Sequence, residues 1–168
     1  MNANQDLFPP KPAVRRSFDN AAKSYDGNAF LQREIADRLF ERLEYIKLQP
    51  ATVLDIGCGT GYATAKLRER FVDANIVGLD LATQMLIAAR SQSKSASWLK
   101  RVTGLAPSLS WLCSDAEALP FKTESIDFVI SNLTLQWCNP EKVAKEVARV
   151  LKPNGLFMFT TLGPDTLK

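Results

Sequence analysis

The residue types able to do chemistry fall into one glycine run and three isolated polar positions. In VLDIGCGTG, residues 53–61, Gly57, Gly59 and Gly61 alternate with Cys58 and Thr60, and Asp55 stands inside the apolar run before them. Glycine opens backbone conformations closed to other residues and lets a ligand approach the main chain closely. The run therefore describes a cradle with a carboxylate at its entrance. Asp80, Asp115 and Asn132 each close a further apolar stretch, in NIVGLD, WLCSD and IDFVISN.

Charge narrows what such a cradle would hold. A dinucleotide loop of the form G-x-G-x-x-G needs glycine at position 62, where this chain has Tyr62. A pyrophosphate wants bare amides at a helix amino terminus, and Asp55 would repel it by roughly 1 kcal/mol at close range. An ammonium or a sulfonium is favoured by that same carboxylate. S-adenosylmethionine carries both, and its own carboxylate can be met by loop amides. The chain has no histidine, which removes the Ser-His and Cys-His nucleophile arrangements. Cys58, Cys113 and Cys138 lie far apart without a Cys-x-x-Cys pair, so neither a metal site nor a disulfide framework is expected. No catalytic acid, base or metal ligand is nominated; the chemistry is expected to come from the bound cofactor.

Positioning these residues takes a particular order of elements. Val14, Phe18, Ala21 and Tyr25 fall at helical spacing, as do Leu31, Ile35, Leu39, Leu43 and Ile46, with a break at Asp26-Gly27-Asn28. A strand over 52–56 leads into the glycines, and a helix carrying Ala63, Leu67 and Phe71 follows. A second strand spans 75–80, and Thr83 is placed to cap a helix with Met85, Leu86 and Ala89 on its apolar face. Residues 91–110 read as a serine-rich irregular insertion with one short helix around Trp98. Strands at 111–114 and 126–131 come next. Asn139-Pro140 opens a helix striped with Val143, Val147 and Val150, and Pro153-Asn154-Gly155 turns the chain into a fifth strand, LFMFTT. Nearly continuous apolar strands alternating with helices describe a parallel sheet covered on both faces. Ligands of such sheets sit at the carboxyl ends of the strands, where strand order reverses. Gly57–Gly61, Asp80, Asp115 and Asn132 all fall on that edge.

A chain of 168 residues, 46% hydrophobic and 23% charged, suits one soluble domain. Residues 1–12 read as a flexible arm and 13–168 as the ligand-binding domain. MNANQDLFPPKPAV lacks an apolar signal core, and no apolar run reaches membrane-spanning length, so a cytoplasmic protein without membrane contact is expected. A net charge of +3 argues for no nucleic acid and leaves room for an acidic protein partner.

VLDIGCGTG resembles the first motif of class I S-adenosylmethionine-dependent methyltransferases, and Asp80, at the end of the second strand, matches that family's acidic ribose ligand. The resemblance implies a Rossmann-like α/β sheet with amino-terminal helices packed over the cofactor. It implies that Asp115 accepts from the adenine amine, that the Ala116 amide donates to a ring nitrogen, and that Leu81 and Met85 flank the base. Asn132 and Leu133 would offer carbonyls to the methionine ammonium, and Tyr25 would close over the methionine end. Further segments, FDNAAKSYD (18–26), Leu31-Gln32, LQWC (135–138) and FTTLGPDTL (159–167), resemble the malonyl-acyl-carrier-protein O-methyltransferases of biotin synthesis. That resemblance implies methylation of the free carboxyl of a malonyl thioester on an acidic acyl carrier protein, with Arg15, Arg16 and Arg33 as candidates for gripping an anion. Trp137 is expected to fill core. The closing GPDTL is also similar to methyltransferase-fold assembly factors of respiratory complex I, which gives an alternative in which the cofactor pocket persists without this transfer.

One part of the family pattern is missing. A full domain of this class has seven strands, the last two forming a hairpin beyond the fifth, whereas this chain stops where Pro164-Asp165 should start another helix. LFMFTT is apolar on both faces, which suits a strand with neighbours on either side. The expectation is a sheet truncated after strand five, either part of a longer protein or prone to self-association through that strand.

Overall fold

In the computed structural model, which describes residues 8–93 and 108–163, five strands form a single parallel sheet. β1 (Thr52–Ile56), β2 (Asn75–Asp80), β3 (Leu109–Cys113), β4 (Ile126–Asn132) and β5 (Leu151–Thr160) lie in the order β3-β2-β1-β4-β5. The chain steps outward from β1 to β3 and then returns to the other side of β1. Strand order therefore reverses between β1 and β4, and a crevice opens there at the carboxyl ends.

Register decides which residues meet at that crevice. Ile56 pairs with Leu79 on one side and Ser131 on the other, so Gly57, Asp80 and Asn132 leave the sheet side by side. Asp80 pairs with Cys113, which brings Ser114 and Asp115 out beside it.

Both faces of the sheet are covered, which explains strands without polar alternation. On one face Leu54, Ile56, Leu79 and Val129 pack against Val143, Val147 and Val150 of α6 (Pro140–Val150). On the other, Val53, Ile76, Phe128 and Ile130 meet α3 (Phe30–Leu43) through Leu39 and Leu43, and α4 (Tyr62–Arg70) through Leu67. α6 opens at Pro140 as expected, and Asn139 caps it, accepting from the Glu141 and Lys142 amides at 3.1 and 3.2 Å. A short 3-10 turn, Leu135–Trp137, links β4 to that cap. Among the described residues no helix is long and apolar enough to cross a membrane.

Several boundaries differ from the sequence reading. The helix after β2 continues to Ser93 and β3 begins at Leu109, both inside the stretch 91–110 expected to be irregular. α1 (Lys11–Ala21) begins inside the stretch expected to be a flexible arm. The break at Asp26-Gly27-Asn28 folds as a one-turn helix, α2 (Tyr25–Asn28). Thr83 is the first residue of α5 (Thr83–Ser93) rather than its cap: its hydroxyl receives a bond from Arg15, and Asp19 of α1 accepts from the Gln84 amide at 2.8 Å. β5 starts directly after α6; pairing breaks after Leu151 and resumes where Leu156 meets Phe128, with Asn154 at φ 65 in the interval. The helix expected around Trp98 and the one expected at Pro164-Asp165 lie outside the described residues.

Candidate functional site

The glycine loop wraps the end of β2. The amides of Gly57 and Cys58 both donate to the Leu79 carbonyl, at 2.7 and 3.0 Å, and the Gly59 amide donates to Asp80 Oδ2 at 2.9 Å. Gly57 has φ 71, and a Cβ there would collide with the Thr134 side chain. Only glycine lets the chain pass between β1 and Thr134 at that angle. Gly61, at φ 89, serves packing instead, since a Cβ would come within 2.8 Å of the Trp111 ring.

Above this loop lies a first chamber of about 610 Å³, open on one side. Gly57, Gly59 and Asp80 form its floor, Leu81, Met85, Asp115 and Ala116 one wall, and Asn132 and Leu133 the other. Val14 and Phe18 of α1, with Tyr25 of α2, cover it. Asp80 Oδ1 accepts from the Ala82 amide at 2.8 Å while Oδ2 takes the Gly59 amide. Burial pushes this carboxyl up, and the two amides oppose the shift. Each oxygen keeps a lone pair for a further donor, the arrangement a vicinal diol requires. Met85 also belongs to a small buried cluster with Ala22 and Ala82 beneath Phe18 and Tyr25. Asp115 Oδ1 receives the Glu117 amide at 3.0 Å and Lys11 Nζ at 3.1 Å.

Asn132 uses its side chain as a joint between elements. Its Nδ2 donates to the Gln32 carbonyl at 2.9 Å, and its Oδ1 accepts from the Thr160 hydroxyl at 2.7 Å. The expected ligand-facing carbonyls of Asn132 and Leu133 accept bonds from Thr134 Oγ1 (3.2 Å) and Gln136 Nε2 (2.7 Å), each keeping one lone pair. Leu133 has φ 50, a left-handed conformation uncommon for a non-glycine residue, and two bonds to Thr160 hold it there.

A second chamber, about 460 Å³, shares Tyr25, Gly57, Gly59 and Asn132 with the first and continues past Asp26, Gln32, Arg33, Asp55, Cys58 and Thr60. Asp55 does not stand at the entrance, as its place before the glycines suggested. It lies in the central strand between Gly78 and Ile130, 1% exposed, and accepts from Thr64 Oγ1 at 2.6 Å. Burial pushes its carboxyl up to about 7, with Asp80 adding to the shift and Thr64 opposing it. The carboxylate held ionised here is Asp26. Burial alone would raise it, yet Thr60 Oγ1 (2.7 Å), Gln92 Nε2 (2.6 Å) and Arg33 Nη2 (3.2 Å) hold it below the usual range. Cys58 is buried and its thiol is pushed up, chiefly by burial. Tyr25 lines both chambers; burial first, then Asp80 and Asp26, keep its phenol protonated.

Several lining residues carry no signal in the sequence. Lys11 reaches the first chamber from α1 and bridges Asp115 to Glu117, whose Oε1 lies 2.7 Å away. Burial alone would lower the Lys11 ammonium, but those carboxylates raise it. Trp137, expected in the core, is 40% exposed on the chamber wall, edge-on to Phe18 at 5.5 Å. Its turn points Leu135 into the core and leaves the indole outside the two covered faces of the sheet. Of the candidate arginines, Arg33 lines the second chamber, Arg15 binds Thr83 and Asp19, and Arg16 is exposed.

A family model described as a methyltransferase domain matches residues 54–159. The malonyl-[acyl-carrier protein] O-methyltransferase of Gallionella capsiferriformans is 49% identical over 159 residues, which are 94% of this chain and 53% of that protein. The protein of the same name from Laribacter hongkongensis is 49% identical over 163 residues, 96% of this chain and 54% of its own. The chain thus spans about half the length of these curated relatives. Among solved structures, a complex of the Haloferax volcanii Trm112 methyltransferase activator contains a similar fold. Its TM-score is 0.70 at 29% identity, over 88% of this chain and 60% of that one.

Proposed function

The chain belongs to the methyltransferase domain family, and on that premise we propose that its two chambers hold S-adenosylmethionine and that it methylates the free carboxylate of a malonyl thioester on an acyl carrier protein. Asp80 carries the cofactor reading: a half-buried carboxylate, fixed by two backbone amides, faces a chamber with apolar walls. Its two oxygens suit the two ribose hydroxyls. Leu81, Met85 and Ala116 supply apolar contacts for the adenine, and Asp115 an acceptor for its exocyclic amine. Gly57 and Gly59 let the backbone come close to the nucleoside, and Asn132 and Leu133 turn carbonyls toward its cationic end.

When bound, S-adenosylmethionine supplies a methyl group on a positively charged sulfur. The protein's own part is placement and exclusion of water, from Phe18 and Tyr25 above and the loop below. The acceptor needs no base. A carboxyl with an ordinary value near 4 is already ionised at neutral pH, so a chain without histidine is equipped for this acceptor. What supports the malonyl thioester is the name shared by relatives 46–49% identical over nearly the whole chain. The acidic carrier protein rests on the same ground.

Transfer of labelled methyl from the cofactor to malonyl-acyl carrier protein tests the reading. Label on the protein-bound thioester, removable by base as methanol, is the expected result. Tight binding of S-adenosylhomocysteine with no transfer would instead favour the assembly-factor alternative.

A further inference from the structure

We propose that the outer face of the cover formed by α1, α2 and α3, built on Arg16, Lys23, Phe30 and Leu31, is the surface on which an acidic acyl carrier protein docks. The proposal rests on the malonyl-thioester reading above. α1 carries two stripes. Lys11, Val14 and Phe18 turn to the first chamber, while Arg16 and Asn20, on the opposite side of the helix, are exposed. Lys23, seven positions after Arg16 and just past the helix end, is exposed as well. Gly27 of α2 faces open space, where a Cβ would meet nothing within 4 Å. Phe30 and Leu31 follow at the start of α3, 81% and 51% exposed. Among the described residues no other two exposed large apolar side chains are consecutive, and apolar surface that is contiguous rather than scattered marks an interaction site.

Charge on this face is unbalanced. The carboxylates around it are committed, Asp19 to Arg15, Asp26 to Arg33 and Glu34 to Arg38. Arg16 and Lys23 make no ion pair among the described residues. Two free cations beside an apolar pair complement a partner that brings carboxylates around an apolar centre. The place of the patch fits a partner that delivers a substrate. Leu31 directly precedes Gln32, whose carbonyl accepts from Asn132 Nδ2 at 2.9 Å, and Asn132 borders both chambers. A carrier protein seated on α2 and the first turn of α3 therefore stands next to the rim through which its acyl arm must enter.

Titration of fluorescently labelled malonyl-acyl carrier protein with the intact chain, read by anisotropy, tests this. Malonyl-coenzyme A, followed by calorimetry, is the control, because it has the same thioester arm without the protein. Arg16→Glu with Lys23→Glu, and separately Phe30→Ser with Leu31→Ser, are expected to weaken the carrier protein roughly 10-fold while leaving malonyl-coenzyme A within about 2-fold of the parent. Parent affinity for the carrier protein is expected to fall as salt rises. Should those variants fail to fold, Gly27→Glu adds a carboxylate to the patch without touching a neighbour and is expected to show the same one-sided loss. Unchanged carrier-protein affinity, or equal weakening of malonyl-coenzyme A, would overturn the proposal. So would a dimer in sedimentation that Phe30→Ser dissolves, since the patch would then belong to a second copy of this chain. If the parent chain binds neither malonyl thioester, the acceptor reading itself falls.

Discussion

Asp55 and Asp80 show how neighbours decide what a carboxylate does. Burial pushes both up, but Asp80 has two backbone amides to hold its charge, whereas Asp55 has the Thr64 hydroxyl alone. A carboxyl raised in the fold adds stability that is complete below its ordinary range and lost as pH climbs through its folded value. For Asp55 that window runs from 3.8 to about 7, worth on the order of 4 kcal/mol at most. Asp55→Asn keeps an acceptor for Thr64 and carries no charge. Its melting temperature is expected to gain on the parent's between pH 4 and 7 in scanning calorimetry and to run parallel to it above that; a gap that stays constant throughout would mean Asp55 does not titrate there. The cradle and Asp80 were legible because glycine spacing and a strand-end acid are local facts. The true state of Asp55 was not, since solvation depends on β1 becoming the central strand. Lys11 was silent for another reason: it reaches the site across about a hundred residues of sequence from Asp115.

Among the elements, α1, α2 and α3 act together as the cover of the site. One carboxylate, Asp26, fastens the single turn of α2 to the glycine loop, to α5 and to α3. Asp26→Ala is expected to cost about 1–2 kcal/mol of stability and to speed dissociation of S-adenosylhomocysteine several-fold in stopped-flow measurements, because Tyr25 loses its anchor. An unchanged off-rate would mean α2 is held by packing. On the far side, Asn139→Ala removes the cap of α6 and should cost about 1 kcal/mol in chemical denaturation, with cofactor affinity little altered. The start of that helix was readable from Asn139-Pro140 alone. The expected cap at Thr83 failed because Asp19, from a helix 65 positions earlier, supplies the acceptor, and no local pattern announces a partner that distant.

For the molecule as a whole, strand order follows from connectivity: each helix returns the chain to a parallel neighbour, and the reversal at β1/β4 gathers four strand ends around one crevice. Among the described residues β5 pairs with β4 alone, and Phe159 is 48% exposed, stacked on Phe157 at 5.0 Å. Such an edge favours association. Sedimentation should show concentration-dependent self-association that Phe159→Lys reduces; a monomer at all concentrations would refute it. The sharpest test of the functional reading is isothermal titration of the parent chain and Asp80→Asn with S-adenosylhomocysteine and with NAD. Asp80→Asn is expected to weaken S-adenosylhomocysteine about 10- to 100-fold at unchanged fold, with no NAD binding by either chain. Equal affinity of the two chains for S-adenosylhomocysteine, or tight binding of NAD, would contradict it.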